Sequence, residues 1–173
     1  MQELAVTAIG SDRPGIVAAV AGVLRDRGAN VEDSAMTILG GHFAIVMLVE
    51  SDDDPHDLRA ALTEATAGFG LTIHVSRAGN EPTPSEPTHL LSVYGSDKPG
   101  ILAGVTRALA DAGANVTDLE TRLLSAEDDP IYAMVIEVFV DDDRQDALTA
   151  AVSAACEDLG VDHSMRRIEA ETY

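Results

Sequence analysis

Tryptophan is absent from this 173-residue sequence, and aromatic residues make up only 3 % of it. Ring-stacking platforms for bases or sugars are thereby disfavoured, and aliphatic side chains have to fill the interior. A single cysteine, Cys156, excludes an internal disulfide and a thiolate metal cage. Basic residues are scarce: 11 Lys and Arg stand against 30 Asp and Glu, a formal charge of -19. So acidic a chain lacks the cations that nucleic-acid readers use to displace counterions from phosphates, and the same shortage argues against attachment to anionic lipid. No apolar run approaches the ~18 residues of a membrane helix, and the N-terminus MQELAVTAIGSDRPG has no basic stretch followed by an apolar one. A cytoplasmic protein is expected. What the chain does have is a hydrophobic fraction of 46 %, enough for a packed core and too much for a disordered acidic tail.

The sequence repeats itself. GSDRPGIVAAVAGVLRDRGANVED, from Gly10 to Asp33, recurs 85 residues later as GSDKPGILAGVTRALADAGANVTD, from Gly95 to Asp118, with 15 of 24 positions identical. Beyond this block the match weakens, but Phe69-Gly70 still corresponds to Leu159-Gly160. Between the copies lies GNEPTPSEP, whose three prolines in six residues suit an extended connector. Two similar domains are expected, over residues 1–78 and 89–173, joined by a linker over 79–88.

Each copy reads as the same succession of elements. Leu4 to Ile9 is a short apolar strand. Pro14 to Arg27 carries a helical stripe at Ile16, Val17, Val20, Val23 and Leu24, with Pro14 suited to the first turn and Gly28 to the stop. Val31–Leu39 and His42–Glu50 form a hairpin about Gly40-Gly41, and Asp52-Asp53-Asp54-Pro55 opens a second helix with Leu58, Ala61, Leu62, Ala65 and Phe69 on one face. Leu71–Ala78 is the last strand. The second copy repeats the order over Leu90–Tyr94, Pro99–Ala112, Val116–Ser125, Ile131–Val140, Arg144–Leu159 and Val161–Ile168, with a hairpin four residues longer at Ser125–Pro130. β-α-β-β-α-β is the ferredoxin-like plan of the α+β class: a four-stranded antiparallel sheet with both helices on one face. The other face needs a cover, so pairing of the two copies with each other, or of two chains as a homodimer, is expected.

Several uses of this plan are excluded by residue type. RNA recognition needs aromatics on the central strands, and a soft-metal carrier needs paired thiolates in the first loop. The central strands offer mostly Val, Ile, Leu and Ala, the first loop holds no thiolate, and no nucleophile with a neighbouring base recurs in both copies. The five histidines are scattered without an i, i+4 pair, Arg166-Arg167 is too small a basic spot for nucleic acid, and Cys156 reads as a core residue. The aspartate triplets Asp52–Asp54 and Asp141–Asp143 read as helix caps, not as a calcium loop. No cofactor, metal or catalytic group is expected.

What recurs is a set of small and polar residues at the two ends of the first helix. Asp12, Gly15, Ile16 and Asn30 match Asp97, Gly100, Ile101 and Asn115. A helix start offers unpaired N–H groups and partial positive charge to a carboxylate, and Gly15 and Gly100 let a ligand approach the backbone. Asp12 and Asp97 are able to accept from an ammonium group, and Asn30 and Asn115 to donate and accept. Those demands fit a free amino acid. They also fit plain structure, with Asp12 as an N-cap and Gly-Ala-Asn as ordinary helix termination.

Gly-Ser-Asp-Arg/Lys-Pro-Gly-Ile followed by an aliphatic helix ending Gly-Ala-Asn-Val resembles the ACT domain, a small regulatory domain of amino-acid metabolism. The resemblance covers both copies, Leu4–Ala78 and Leu90–Ile168, and a chain of two such domains resembles the glycine cleavage system transcriptional repressor group. It implies a ferredoxin-like fold, paired domains and an amino-acid effector held at the joint by Asp12, Gly15, Ile16 and Asn30, and by Asp97, Gly100, Ile101 and Asn115. It further implies a regulatory role exerted on a protein partner, without enzymatic activity. Two alternatives stay open: a ligand-free assembly scaffold, and a detached regulatory subunit of an amino-acid metabolic enzyme.

Overall fold

A computed structural model describes residues 1–79, 86–124 and 130–168. The chain divides into two compact units, Met1–Pro82 and Thr83–Tyr173. Most of the proline-rich connector and most of the longer second hairpin lie outside the described residues.

In unit 1 the elements are β1 (Gln2–Ser11), α1 (Ile16–Asp26), β2 (Asn30–Leu39), β3 (His42–Ser51), α2 (Pro55–Ala65) and β4 (Thr72–Arg77). The strands form one antiparallel sheet in the order β2-β3-β1-β4. Alternation sends Leu4, Val6 and Ala8 of β1, Ile45, Met47 and Val49 of β3 and Val75 of β4 to the helical side. There they meet Ile16, Val20 and Leu24 of α1 and Leu58 and Leu62 of α2, each series stepping by four along its helix. Burying each large side chain of this set contributes about 2 kcal/mol, so these residues, not local propensity, hold the unit together. Gly40 and Gly41 take φ values of 58° and 80°, the positive pair that a two-residue hairpin turn requires.

Unit 2 repeats the plan with β5 (His89–Ser96), α3 (Ile101–Asp111), β6 (Asn115–Leu124), β7 (Ile131–Phe139), α4 (Gln145–Leu159) and β8 (Asp162–Arg167), sheet order β6-β7-β5-β8. Its core stacks Leu91, Val93, Met134, Ile136 and Val138 against Ile101, Val105 and Leu109, and against Leu148, Val152 and Cys156. The ferredoxin-like α+β expectation holds in both units.

Local differences have local causes. α1 begins at Ile16, not at Pro14, because Gly15 adopts φ 98°, outside the helical region. α2 stops at Ala65: the Thr66 hydroxyl turns back to the Leu62 carbonyl at 2.7 Å, and Phe69 reaches the core from a short 3-10 turn. The two aspartate triplets behave differently. Asp54 caps α2, its carboxylate accepting from the His56 amide at 2.9 Å. Asp142 instead lies in a 3-10 turn over Asp142–Arg144, and α4 starts without a side-chain cap.

Candidate functional site at the first loop and the bulged edge

The loop between β1 and α1 is tied down by its backbone. The Asp12 amide donates to the Gly41 carbonyl at 2.9 Å, which fixes the loop against the β2–β3 hairpin tip. The Arg13 guanidinium reaches the Gly68 carbonyl at 3.4 Å. Gly15 is the residue before the helix, left-handed at φ 98° and ψ -8°, and no side chain caps α1. Asp12 is therefore not the N-cap. Its exposed carboxylate makes no hydrogen bond among the described residues, and α1 carries no acid in its first turn. The same holds in unit 2, where Gly100 sits at φ 100° and ψ -9°, α3 has no side-chain cap, and the Asp97 amide donates to the Pro130 carbonyl at 3.2 Å. In both units the first amides of the helix point outward with no side-chain acceptor, an arrangement suited to a carboxylate.

Ile16 and Ile101 contribute no side chain to this surface. They are 1 % and 2 % exposed and belong to the two cores, so neither presents its side chain to a ligand. Asn30 and Asn115 are exposed and open β2 and β6, not a turn. Strand register shows how far they stand from the loop. Asn30 is level with Glu50, which pairs with Glu3, whereas Asp12 follows Ser11 at the other end of β1. Eight residues of strand separate the two levels, roughly 26 Å. Unit 2 repeats the separation between Asn115, paired with Phe139, and Asp97, which follows Ser96. One unit therefore brings Asp12, Gly15 and the Ile16 amide together and leaves Asn30 apart, beyond the span of one amino acid.

Near Asn30 the structure holds features that the sequence reading missed. Register shifts between Val31 and Asp33, and again between Val116 and Asp118, so Glu32 and Thr117 are bulged out of edge strands. Bulges re-aim side chains on such edges. The only sequence trace is the repeated Asn-Val-x-Asp. β2 and β6 are exposed along their whole length, including Met36, Ile38 and Leu39 on one and Leu119, Leu123 and Leu124 on the other. Beside the first bulge a cavity of about 230 Å3 is lined by Asp33, Ser34, Ala35, Val46 and Leu48. A second, of about 400 Å3, lies between α2 and β4. Neither is lined by Asp12, Gly15, Ile16 or Asn30. Among the described residues no group of three or more His, Cys, Asp or Glu is placed to hold a metal, and no helix is long and apolar enough to cross a membrane.

Comparison with known proteins agrees with this architecture. The ACT-domain pattern matches residues 2–76 and again residues 89–157. The glycine cleavage system transcriptional repressor of Escherichia coli is 31 % identical over 138 residues, 78 % of this chain and 72 % of that one. A UPF0237 protein of Methanopyrus kandleri is 44 % identical over 78 residues, 43 % of this chain and 87 % of its own. Among solved structures, an unknown protein from Galdieria sulphuraria is 34 % identical, with a TM-score of 0.85 over 97 % of this chain and 99 % of that one. With the pattern matched twice and the fold repeated in both units, the chain is a tandem pair of ACT domains and belongs to the ACT-domain family.

Proposed function

We propose that the protein is a regulatory sensor without catalytic activity. It binds a free amino acid and thereby alters its affinity for a protein partner. The observation that carries this reading is the pair of uncapped helix starts at Gly15 and Gly100, each beside an aspartate whose carboxylate has no partner among the described residues. The effector's carboxylate takes the first helix amides, and its ammonium takes Asp12 or Asp97. Because Asn30 lies roughly 26 Å along the sheet from Asp12, a bound amino acid that also uses an asparagine takes it from a neighbouring domain. Binding then depends on how domains pair, and linkage makes the partner's grip and the effector's grip vary by the same factor.

The partner is read as a protein because a charge of -19 opposes direct contact with DNA. The Escherichia coli relative, a repressor of the glycine cleavage system by name, suggests glycine or one-carbon metabolism as the setting. A cytoplasmic homodimer with residues 79–88 as connector completes the proposal.

Thermal denaturation against a panel of the common amino acids, followed by calorimetry on any that raise Tm, tests it, since a ligand bound only by the folded state stabilises it. Silence across the panel at millimolar ligand removes the sensing role. A ligand-free scaffold is the second reading, favoured by the exposed apolar residues of β2 and β6; it predicts association with no amino-acid response.

A further inference from the structure

The cleft of about 400 Å3 in unit 1 lies where the start of α2 meets the free edge of β4, with Asp54, His56, Arg59, His74, Val75 and Arg77 around it. In a chain with only 11 Lys and Arg, two of its arginines share this one cleft. Val75 faces the core, so alternation puts Arg77 on the same side, toward α2, and turns the His74 ring away. Neither guanidinium forms an ion pair among the described residues. Of the nearby acids, Asp54 accepts from the His56 amide at 2.9 Å, and Asp57 stands 3.5 Å from the His56 ring.

The strand edge adds donors. The Ala78 amide bonds to the Glu3 carbonyl at 3.0 Å, so Ser76 and His74 turn their amides to β1, and Arg77 and Val75 turn theirs outward. Arginine forks and backbone amides are the groups that grip phosphate oxygens.

Unit 2 is an internal control. Leu58 and Leu62 correspond to Leu148 and Val152, all four buried, which aligns Arg59 with Thr149 and His56 with Asp146. Arg77 opposite Leu4 corresponds to Arg167 opposite His89, but Arg167 is paired with Asp142 at 3.1 Å. The fold therefore does not need two unpaired arginines at this place: unit 2 carries Thr149 at one position and an arginine paired with Asp142 at the other.

We propose that this cleft is an anion site that takes a small phosphate-bearing metabolite, its phosphate gripped by Arg59 and Arg77 and its remainder filling the rest of the cleft. The volume falls in the range of small-molecule sites, about 300–1,000 Å3. The site is distinct from the first loop, and neither assignment rests on the other.

The test follows the histidine ring resonances of the full chain by NMR, titrated at constant ionic strength with inorganic phosphate and with glycerol 3-phosphate. A saturable shift of His56 with His163 unmoved is expected, tighter for the ester, and at least tenfold weaker in the Arg59→Gln/Arg77→Gln variant. Both arginines are exposed, so that variant keeps the fold. No saturable shift, an equal shift in the double variant, or a shift reproduced by chloride overturns the site. Binding of inorganic phosphate without the ester overturns the metabolite assignment.

Discussion

The amide of Asp12 donates to the carbonyl of Gly41 across 2.9 Å, so the loop ahead of α1 is anchored through its main chain while its carboxylate stays at the surface. Replacing that carboxylate leaves the anchor in place. Asp12→Ala and Asp97→Ala are therefore expected to change folding stability by no more than about 0.5 kcal/mol. If the first loop holds an effector's ammonium, the same variants lose the amino-acid-induced rise in Tm. Denaturation with and without ligand reads both effects; an undiminished rise in the double variant removes the two aspartates from the site.

Gly15→Val and Gly100→Val report something else. At φ 98° and 100° an L side chain is strained, while a Cβ on Gly15 meets nothing nearer than the Phe69 ring at 3.6 Å. The cost is thus conformational, about 1–3 kcal/mol at each position. Urea unfolding of each variant checks this. Loss of ligand response in them, unlike in the aspartate variants, mixes a damaged helix start with a damaged site.

His89 is 7 % exposed at the start of β5, its ring nitrogen Nδ1 3.0 Å from the Thr88 hydroxyl. Burial lowers its pKa from the ordinary 6.5, the Arg167 charge lowers it further, and Asp142 opposes. The folded state therefore prefers the neutral ring, and the unfolded chain binds the proton more readily. Stability of unit 2 from this residue is intact above about pH 6.5 and falls as pH drops from there through the lowered folded pKa. Unfolding free energy measured from pH 8 to 5 should show that loss in the parent, and His89→Asn should flatten this part of the profile.

Cys156 is fully buried on α4, and burial pushes its thiol pKa up. A thiol reagent at neutral pH is expected to label it only after denaturant is added, because the native thiolate is both scarce and screened. Cys156→Ser buries a polar hydroxyl among apolar side chains and costs about 1–3 kcal/mol. Rapid native labelling contradicts this placement.

Much of this was legible beforehand for physical reasons that can be named. Ile16, Val20 and Leu24, or Ile101, Val105 and Leu109, announce a helix with one buried stripe, and the two copies corroborate each other. Helix starts were less legible: Asp-Arg-Pro-Gly reads as a capped, proline-led first turn until the left-handed Gly15 moves the start to Ile16. Candidate ligand groups were visible as residue types, but their grouping was not. That Asp12 and Asn30 lie roughly 26 Å apart is a fact of strand register, which no local pattern encodes. The bulges at Glu32 and Thr117 are likewise long-range, since they exist only relative to β3 and β7.

Those bulges bear on the hazard that two exposed, ten-residue strand margins present to indiscriminate strand pairing. A strand zipping onto either margin meets a ladder that changes phase soon after it begins, so an incoming segment with uniform spacing loses its pairing there. Runaway stacking of uniformly spaced segments is thereby discouraged.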